Sequence, residues 1–453
     1  MPHPHDASQD KRHDEHGHGH GHGHDGEERL NSSCPAGDDL LDSEIALARV
    51  IEATPLLAEE EVPILEALGR VLARDAVARE DIPLADKSAM DGFALRSADT
   101  AAASASHPAV LEVREMVTAG EVASQRVEEG VAIRIMTGAP LPEGSDCVVP
   151  WERTEDRESG QKVAIKVSTR PGDNVVPRAA DVEYGTVVLE APTRLRPQEI
   201  GVLASLGYPR AMVRCRPRVL VMATGNELIR PEEPMSPGKV RSSNTYTLLT
   251  QARMAGADAI DLGLGVDKLE DIVRTIENSL PADVVITSGG SAQGVHDHTA
   301  RVFEKLGCET RFHRVAIKPG KPVIFATKGN TLFFGLPGNP VASMVSFELF
   351  VRPALLRMQG HSQLVRPRVR ATLTESLRHE PVKRTFMRGI LSRHDEELRV
   401  RTTGNQGSGL LTSMARANCL IRLESGRSHY EAGSRVQVIL FDSPEVADEG
   451  QLA

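Results

Sequence analysis

The sequence predicts a multidomain chain of mixed α/β and β class. A parallel-sheet α/β domain is combined with a small inserted β domain, a helical linker domain and a C-terminal β domain. Three observations predict it. A strand–helix alternation begins at Val219, two turn-rich β stretches flank it (110–167 and 365–441), and apolar residues recur at helical spacing before each half. The chain has 453 residues, enough at roughly 150 residues per domain for about three cores.

Residues 1–37 carry eight of the 16 histidines, six between His13 and His24, among glycines and charges. Such a composition buries no core and predicts a disordered tail, with loose chelation of nickel, zinc or copper as its functional reading. Leu41, Ile45, Ala48 and Ile51 share one face of a helix, and Ile64, Leu68 and Val71 repeat that spacing on a second. An irregular segment with Ser88-Ala-Met-Asp-Gly-Phe-Ala94 follows, then short strands at 110–113, 131–136 and 163–167. A helix is expected over 195–206. Val219-Leu-Val-Met-Ala223 is an unbroken apolar run, as in a strand buried on both faces. Helices at 244–255 and 269–280 alternate with strands at 259–262 and 284–287, which implies a parallel sheet with right-handed crossovers. Strands at 323–326 and 332–335 and a helix over 341–358 close the domain. Strands near 369–373, 398–401 and 436–441 follow. The boundaries are therefore a tail at 1–37, a linker at 38–92 and 179–214, an inserted β domain at 93–178, an α/β domain at 215–360, a β domain at 361–445 and a tail at 446–453.

Hydrophobic residues make up 40% of the chain and charged residues 26%, and the net charge is -10. The acidic balance disfavours nonspecific nucleic-acid binding. No apolar run approaches the roughly 20 residues that span a bilayer, and the N-terminus has no signal-peptide core. Five scattered cysteines, with no CxxC pair, point to a reducing compartment, so a cytoplasmic protein is expected. Walker A and GxGxxG fingerprints are both missing, which leaves ATPase and dinucleotide-dehydrogenase readings unsupported.

Ligands of open parallel sheets sit beyond the carboxyl ends of the strands, and three glycine-bearing turns fall there. They are Thr224-Gly225-Asn226, Ser288-Gly289-Gly290 and Gly335-Leu-Pro337-Gly338-Asn339-Pro340, the last opening a helix. Glycine lets backbone N–H groups approach a phosphate, and a helix N-terminus favours an anion. Lys318-Pro-Gly-Lys321-Pro adds two ammonium groups in a stiff turn, with Arg314 upstream. Glu227, Asp267 and Asp297 stand at strand ends. Carboxylates beside phosphates need a cation between them, and Mg²⁺ accepts a carboxylate or two plus phosphate oxygens. The combination reads as metal-assisted cleavage of a phosphoanhydride. A zinc site at His296-Asp297-His298 is the weaker reading, since neighbouring histidines need not face one point. An adenylyltransferase or pyrophosphohydrolase on the same α/β domain, and a scaffold without activity, are the alternatives.

Together these motifs resemble the molybdopterin molybdenumtransferase family, which includes plant and bacterial molybdate-insertion enzymes and the E domain of gephyrin. The resemblance runs from about Leu40 to Phe441. It rests on the segments above, on Arg134-Ile-Met-Thr-Gly-Ala-Pro-Leu-Pro142 and on Thr403-Gly-Asn-Gln-Gly-Ser408. It implies that adenylylated molybdopterin and molybdate bind, AMP leaves, and molybdenum enters the dithiolene with Mg²⁺ in support. It implies an elongated homodimer whose α/β domain binds molybdopterin and whose C-terminal domain is barrel-like. It also implies a molybdopterin adenylyltransferase upstream and apo-molybdoenzymes downstream. Carried over by motif, Asp91 and Thr137 reach across the dimer. Glu227, Asp267 and Asp297 form the acidic cluster, with Asp181 nearby. Lys318 and Lys321 bind phosphate or molybdate, and Arg388 and Ser408 come from the C-terminal domain. The chain departs from the pattern at Asn226, where aspartate is common, at Ala179-Ala180 before Asp181, at Arg314, where lysine is frequent, and at Ser291-Ala-Gln293.

Overall fold

A computed structural model describes residues 40–265, 268–289 and 295–446, with the side chains of 295–297 and 445–446 left out of account. The helix α1, Ser43–Ala53, is capped by Asp42, whose side chain accepts from the Glu44 N–H. Its buried face is Ser43, Ala46 and Val50, not the expected Leu41–Ile45–Ala48–Ile51 stripe, and Ile45 lies exposed. Ala46 and Val50 join the α/β core, where small side chains admit the close approach of the helix formed by residues 352–358. The second expected helix shrinks to a 3-10 turn, Ile64–Ala67. Gly69 at φ +80 breaks it, and Val71 and Leu72 instead bridge to Arg194 and Val213. Segment 59–63 pairs antiparallel with 210–214, so the linker is built from both flanks of the insertion. The helix α2, Pro197–Ser205, packs on the 3-10 turn.

The insertion is a six-stranded sheet. Its strands in chain order are β1 (Gly92–Leu95), β2 (Ala109–Val117), β3 (Val131–Ile135), β4 (Cys147–Pro150), β5 (Thr154–Arg157) and β6 (Lys162–Ile165), in spatial order β4-β1-β3-β2-β6-β5. The MDGFA segment, expected to be irregular, supplies the buried strand β1. A Cβ at Gly92 would lie 2.0 Å from the Val149 carbonyl oxygen, so only glycine pairs that tightly with β4.

The α/β domain holds β7 (Arg218–Thr224), β8 (Asp258–Gly265), β9 (Val284–Gly289), β10 (Glu309–His313), β11 (Ile324–Lys328) and β12 (Thr331–Leu336), in order β8-β7-β9-β12-β11-β10. The first three pairings are parallel, as expected, whereas β11 runs antiparallel to both β12 and β10, so the sheet is mixed. The two-residue gap between β11 and β12 permits only a hairpin, not a crossover. One face carries α3 (Ser243–Met254), and the other carries α4 (Leu269–Ser279) and α5 (Val295–Lys305). On α4, Leu269, Ile272 and Ile276 face inward at helical spacing. The expected long helix at 341–358 is α6 (Pro340–Ser346) and α7 (Arg352–Met358), joined through a π-helical stretch at Phe347–Val351.

In the C-terminal region β13 (Arg368–Leu373), β14 (Arg384–His394), β15 (Glu397–Thr402), β16 (Cys419–Leu423) and β17 (Arg435–Leu440) close into a five-stranded barrel in the order β13-β15-β14-β16-β17 and back to β13. The two-residue strand Ile317–Lys318 pairs parallel with Arg384–Thr385 at the start of β14. The lysine turn is thereby fastened to the barrel.

Candidate functional site

The carboxyl ends of β7, β9 and β12 lie side by side, since Thr224 pairs with Gly289 and Ser288 with Leu336. Three of the glycine-bearing turns therefore meet at one edge. Asn244, near the start of α3 and 7% exposed, ties two of them together. Its side-chain N–H groups donate to Ser288 Oγ at 2.7 Å and to the Gly338 carbonyl at 2.8 Å. Ser288 Oγ in turn donates to the Pro337 carbonyl at 3.2 Å. The Asn244 Oδ1 is buried with no partner among the described residues. Sequence reasoning missed Asn244. Its only signal is a polar Ser-Ser-Asn-Thr run at the head of a helix, which reads equally as a cap.

The barrel closes over this edge. Asn339 Nδ2 donates to Ser408 Oγ at 3.0 Å, and the Val341 N–H at the head of α6 donates to the Ser408 carbonyl at 3.1 Å. Pro340 brings no N–H, so Ser408 takes part of the helix end that sequence reasoning left open for an anion. Arg388 is one of the substrate-binding residues that the resemblance implies for the C-terminal domain. It is 1% exposed, and its guanidinium donates to Ser413 Oγ at 2.9 Å and to the Gly407 carbonyl at 3.0 Å. Burial with no carboxylate beside it pushes its pKa down to about 10. These bonds spend the aimed donors of Arg388 on the loop that carries Ser408.

Lys318 is exposed and Lys321 half-buried, and neither has a carboxylate within ion-pair distance among the described residues. Gly320 lets the turn sit down on α6, where a Cβ would lie 2.6 Å from Ser346 Oγ. Arg314, at φ +69, donates its N–H to the Val323 carbonyl and accepts from Leu41.

Glu227 follows β7. Its carboxylate folds back over Gly225, 2.6 Å from where a Cβ would stand, and meets no cation or hydrogen-bond donor among the described residues. A half-exposed, unneutralised carboxylate is the kind of oxygen donor that a hard divalent ion accepts. Asp267, Gly290 and the Asp297 side chain lie outside the described residues, as does the histidine-rich tail. No cluster of three metal-ligating side chains occurs among the described residues.

Asp91 and Thr137 come together on the insertion. The Thr137 N–H and hydroxyl both donate to Asp91 Oδ1 at 2.7 Å. The backbone bond first, and the hydroxyl second, hold the Asp91 carboxyl below its ordinary value. Both residues are exposed, and these bonds stay within the insertion. Asp181 is exposed in the linker, its N–H donating to the Ile82 carbonyl.

Three family models match in chain order. The MoeA N-terminal region (domain I and II) covers 41–207, a probable molybdopterin binding domain 220–357, and the MoeA C-terminal region (domain IV) 370–441. A molybdopterin molybdenumtransferase of Bacillus subtilis is 37% identical over 389 residues, spanning 84% of this chain and 90% of that one. The chain belongs to the molybdopterin molybdenumtransferase family. It is a transferase of molybdenum cofactor biosynthesis. A second relative of the family, from Staphylococcus epidermidis, is 32% identical over 89% of this chain and 96% of its own length. The solved molybdopterin biosynthesis MoeA protein of Pyrococcus horikoshii OT3 superposes with a TM-score of 0.74 at 31% identity, over 89% of this chain and all of that one. No helix among the described residues is long and apolar enough to cross a membrane.

Proposed function

We propose that this member of the family inserts molybdenum into adenylylated molybdopterin, taking molybdate as the metal source and releasing AMP. The observation that carries the reading is the Asn244–Ser288–Gly338 tie, with Ser408 laid across it and the lysine turn fastened alongside. Ser288, Gly289, Pro337, Gly338, Asn339 and Pro340 shape the floor that receives the pterin phosphate, and Gly290 is assigned to the same phosphate contact on its motif alone. Lys318 and Lys321 meet the phosphate or the tetrahedral oxyanion, with Arg314 behind them and Ser408, held by Arg388, above. Glu227, with Asp267 and Asp297, would hold Mg²⁺, whose chemistry is to neutralise charge on the phosphoanhydride as it breaks. Asp91 and Thr137, preorganised as a pair, would complete the cleft from the partner of a homodimer, with Asp181 at its margin. The protein would act in the cytoplasm, receive substrate from a molybdopterin adenylyltransferase and deliver product to apo-molybdoenzymes.

The test incubates full-length protein with adenylylated molybdopterin, molybdate and Mg²⁺ and measures AMP release and reconstitution of a molybdoenzyme. AMP and active cofactor are expected together; neither appearing would refute the reading. Lys318→Ala and Asp267→Asn are each expected to lower turnover at least about tenfold, a loss of roughly 1.4 kcal/mol in transition-state stabilisation.

A further inference from the structure

A cavity of about 800 Å³ opens at the other edge of the α/β sheet, by the amino ends of its strands. Its walls are linker segments 68–71 and 192–199, Arg216, α/β segments 253–256 and 352–359, and the stretch 361–367 that leads into the barrel. Six arginines line it, Arg70, Arg194, Arg196, Arg216, Arg253 and Arg352, against one acid, Glu199. That density of positive charge stands out in a chain of net charge -10.

Most of these guanidinium groups have local work. Arg70 pairs with Glu60, and Arg196 with Glu199. Arg253 donates to the Ala259 carbonyl at 3.2 Å. Arg352 reaches Glu348 only at 3.9 Å, because Arg366 already holds that carboxylate at 2.8 Å. Arg194 and Arg216 have no carboxylate partner among the described residues. Arg70 Nε is buried without a partner among them, on a side chain 7% exposed. His361 lies in the same wall, and burial first, then Arg194 and Arg352, push its imidazole down to about 4. Like charges held this close repel unless an anion sits among them.

We propose that this cavity is a second anion site, built for a small molecule bearing two or more phosphate groups. Planar guanidinium forks match phosphate oxygens in pairs, and a volume of this size falls within the range of about 300–1,000 Å³ typical of small-ligand sites. The charge lies inside a concavity rather than along a flat face, which favours a small ligand over a nucleic acid. The site is independent of the function proposed above, because no residue at the carboxyl edge lines it.

The experiment titrates inorganic pyrophosphate into the full chain carrying Lys318→Ala and Lys321→Ala, which weakens the carboxyl-edge site, and follows heat at low salt. Saturable binding at one site per chain is expected. Adding Arg194→Ala and Arg216→Ala, both exposed positions, should weaken it at least tenfold. In the chain with all arginines intact, the His361 ring should titrate at higher pH when pyrophosphate is present. No saturable binding, equal binding by the arginine variant, or an unmoved His361 titration would each overturn the proposal.

Discussion

Asn244 and Asp91 show how single side chains set local geometry in two separate parts of the chain. Removing the Asn244 amide leaves a buried Ser288 hydroxyl and the Gly338 carbonyl short of a partner, a cost of about 1–3 kcal/mol per group. Asn244→Ala is therefore expected to lower kcat/KM for AMP release at least about tenfold while the circular dichroism spectrum stays native. An unchanged kcat/KM would show that the two turns hold themselves. Asp91 makes a pH prediction. Its folded pKa lies below the ordinary 3.8, so its two bonds to Thr137 contribute fully above that value and are lost as pH falls through the folded pKa. Thr137→Val keeps the backbone bond and removes the hydroxyl, so carboxyl NMR should find Asp91 titrating higher, though still below the ordinary value. At this scale the sequence showed the two lysines and the arginine by residue type, but not the bonds that tie Asn244 to Ser288 and Gly338 or Arg388 to Ser413 and Gly407, which depend on what surrounds each side chain.

Among elements, glycine sets the spacing between layers. A Cβ on Gly335 in β12 would lie 2.7 Å from Thr299 Cγ2 on α5 and 3.2 Å from Ile324 Cβ. Gly335→Ala is expected to push α5 off the sheet and cost about 1–3 kcal/mol, read as a lower urea midpoint at unchanged slope. The strands β7 and β9 and the helices α3 and α4 were legible because burial imposes a period on them. The face of α1 was misread because two apolar stripes compete on it. Packing against α7 selected the one with smaller side chains. The antiparallel hairpin of β11 and β12 reads in sequence like any pair of apolar runs, and only the length of its turn distinguishes it from a crossover.

At the scale of the whole molecule, the bonds that fix Asp91 and Thr137 stay within the insertion, and the lysine turn belongs to the barrel and the α/β domain. If two chains share the cleft, an equal mixture of Asp91→Ala and Lys318→Ala proteins, each with about a tenth of wild-type activity or less alone, should rise to about a quarter of wild-type activity or more after subunit exchange, since half of the dimers then hold one intact cleft. No recovery, with exchange verified by mass, would place the whole cleft within one chain.

The sequence by itself determined the order of the regions, the family and the glycine-bearing turns that meet at the carboxyl edge of the sheet. Those depend on residue type and spacing, which lie along the chain. Only the tertiary structure decided that Ser408 caps the α6 edge, that Arg388 serves its own loop and that six arginines from distant segments share one cavity. Each of these is a meeting of residues far apart in sequence, fixed by how sheet, linker and barrel pack.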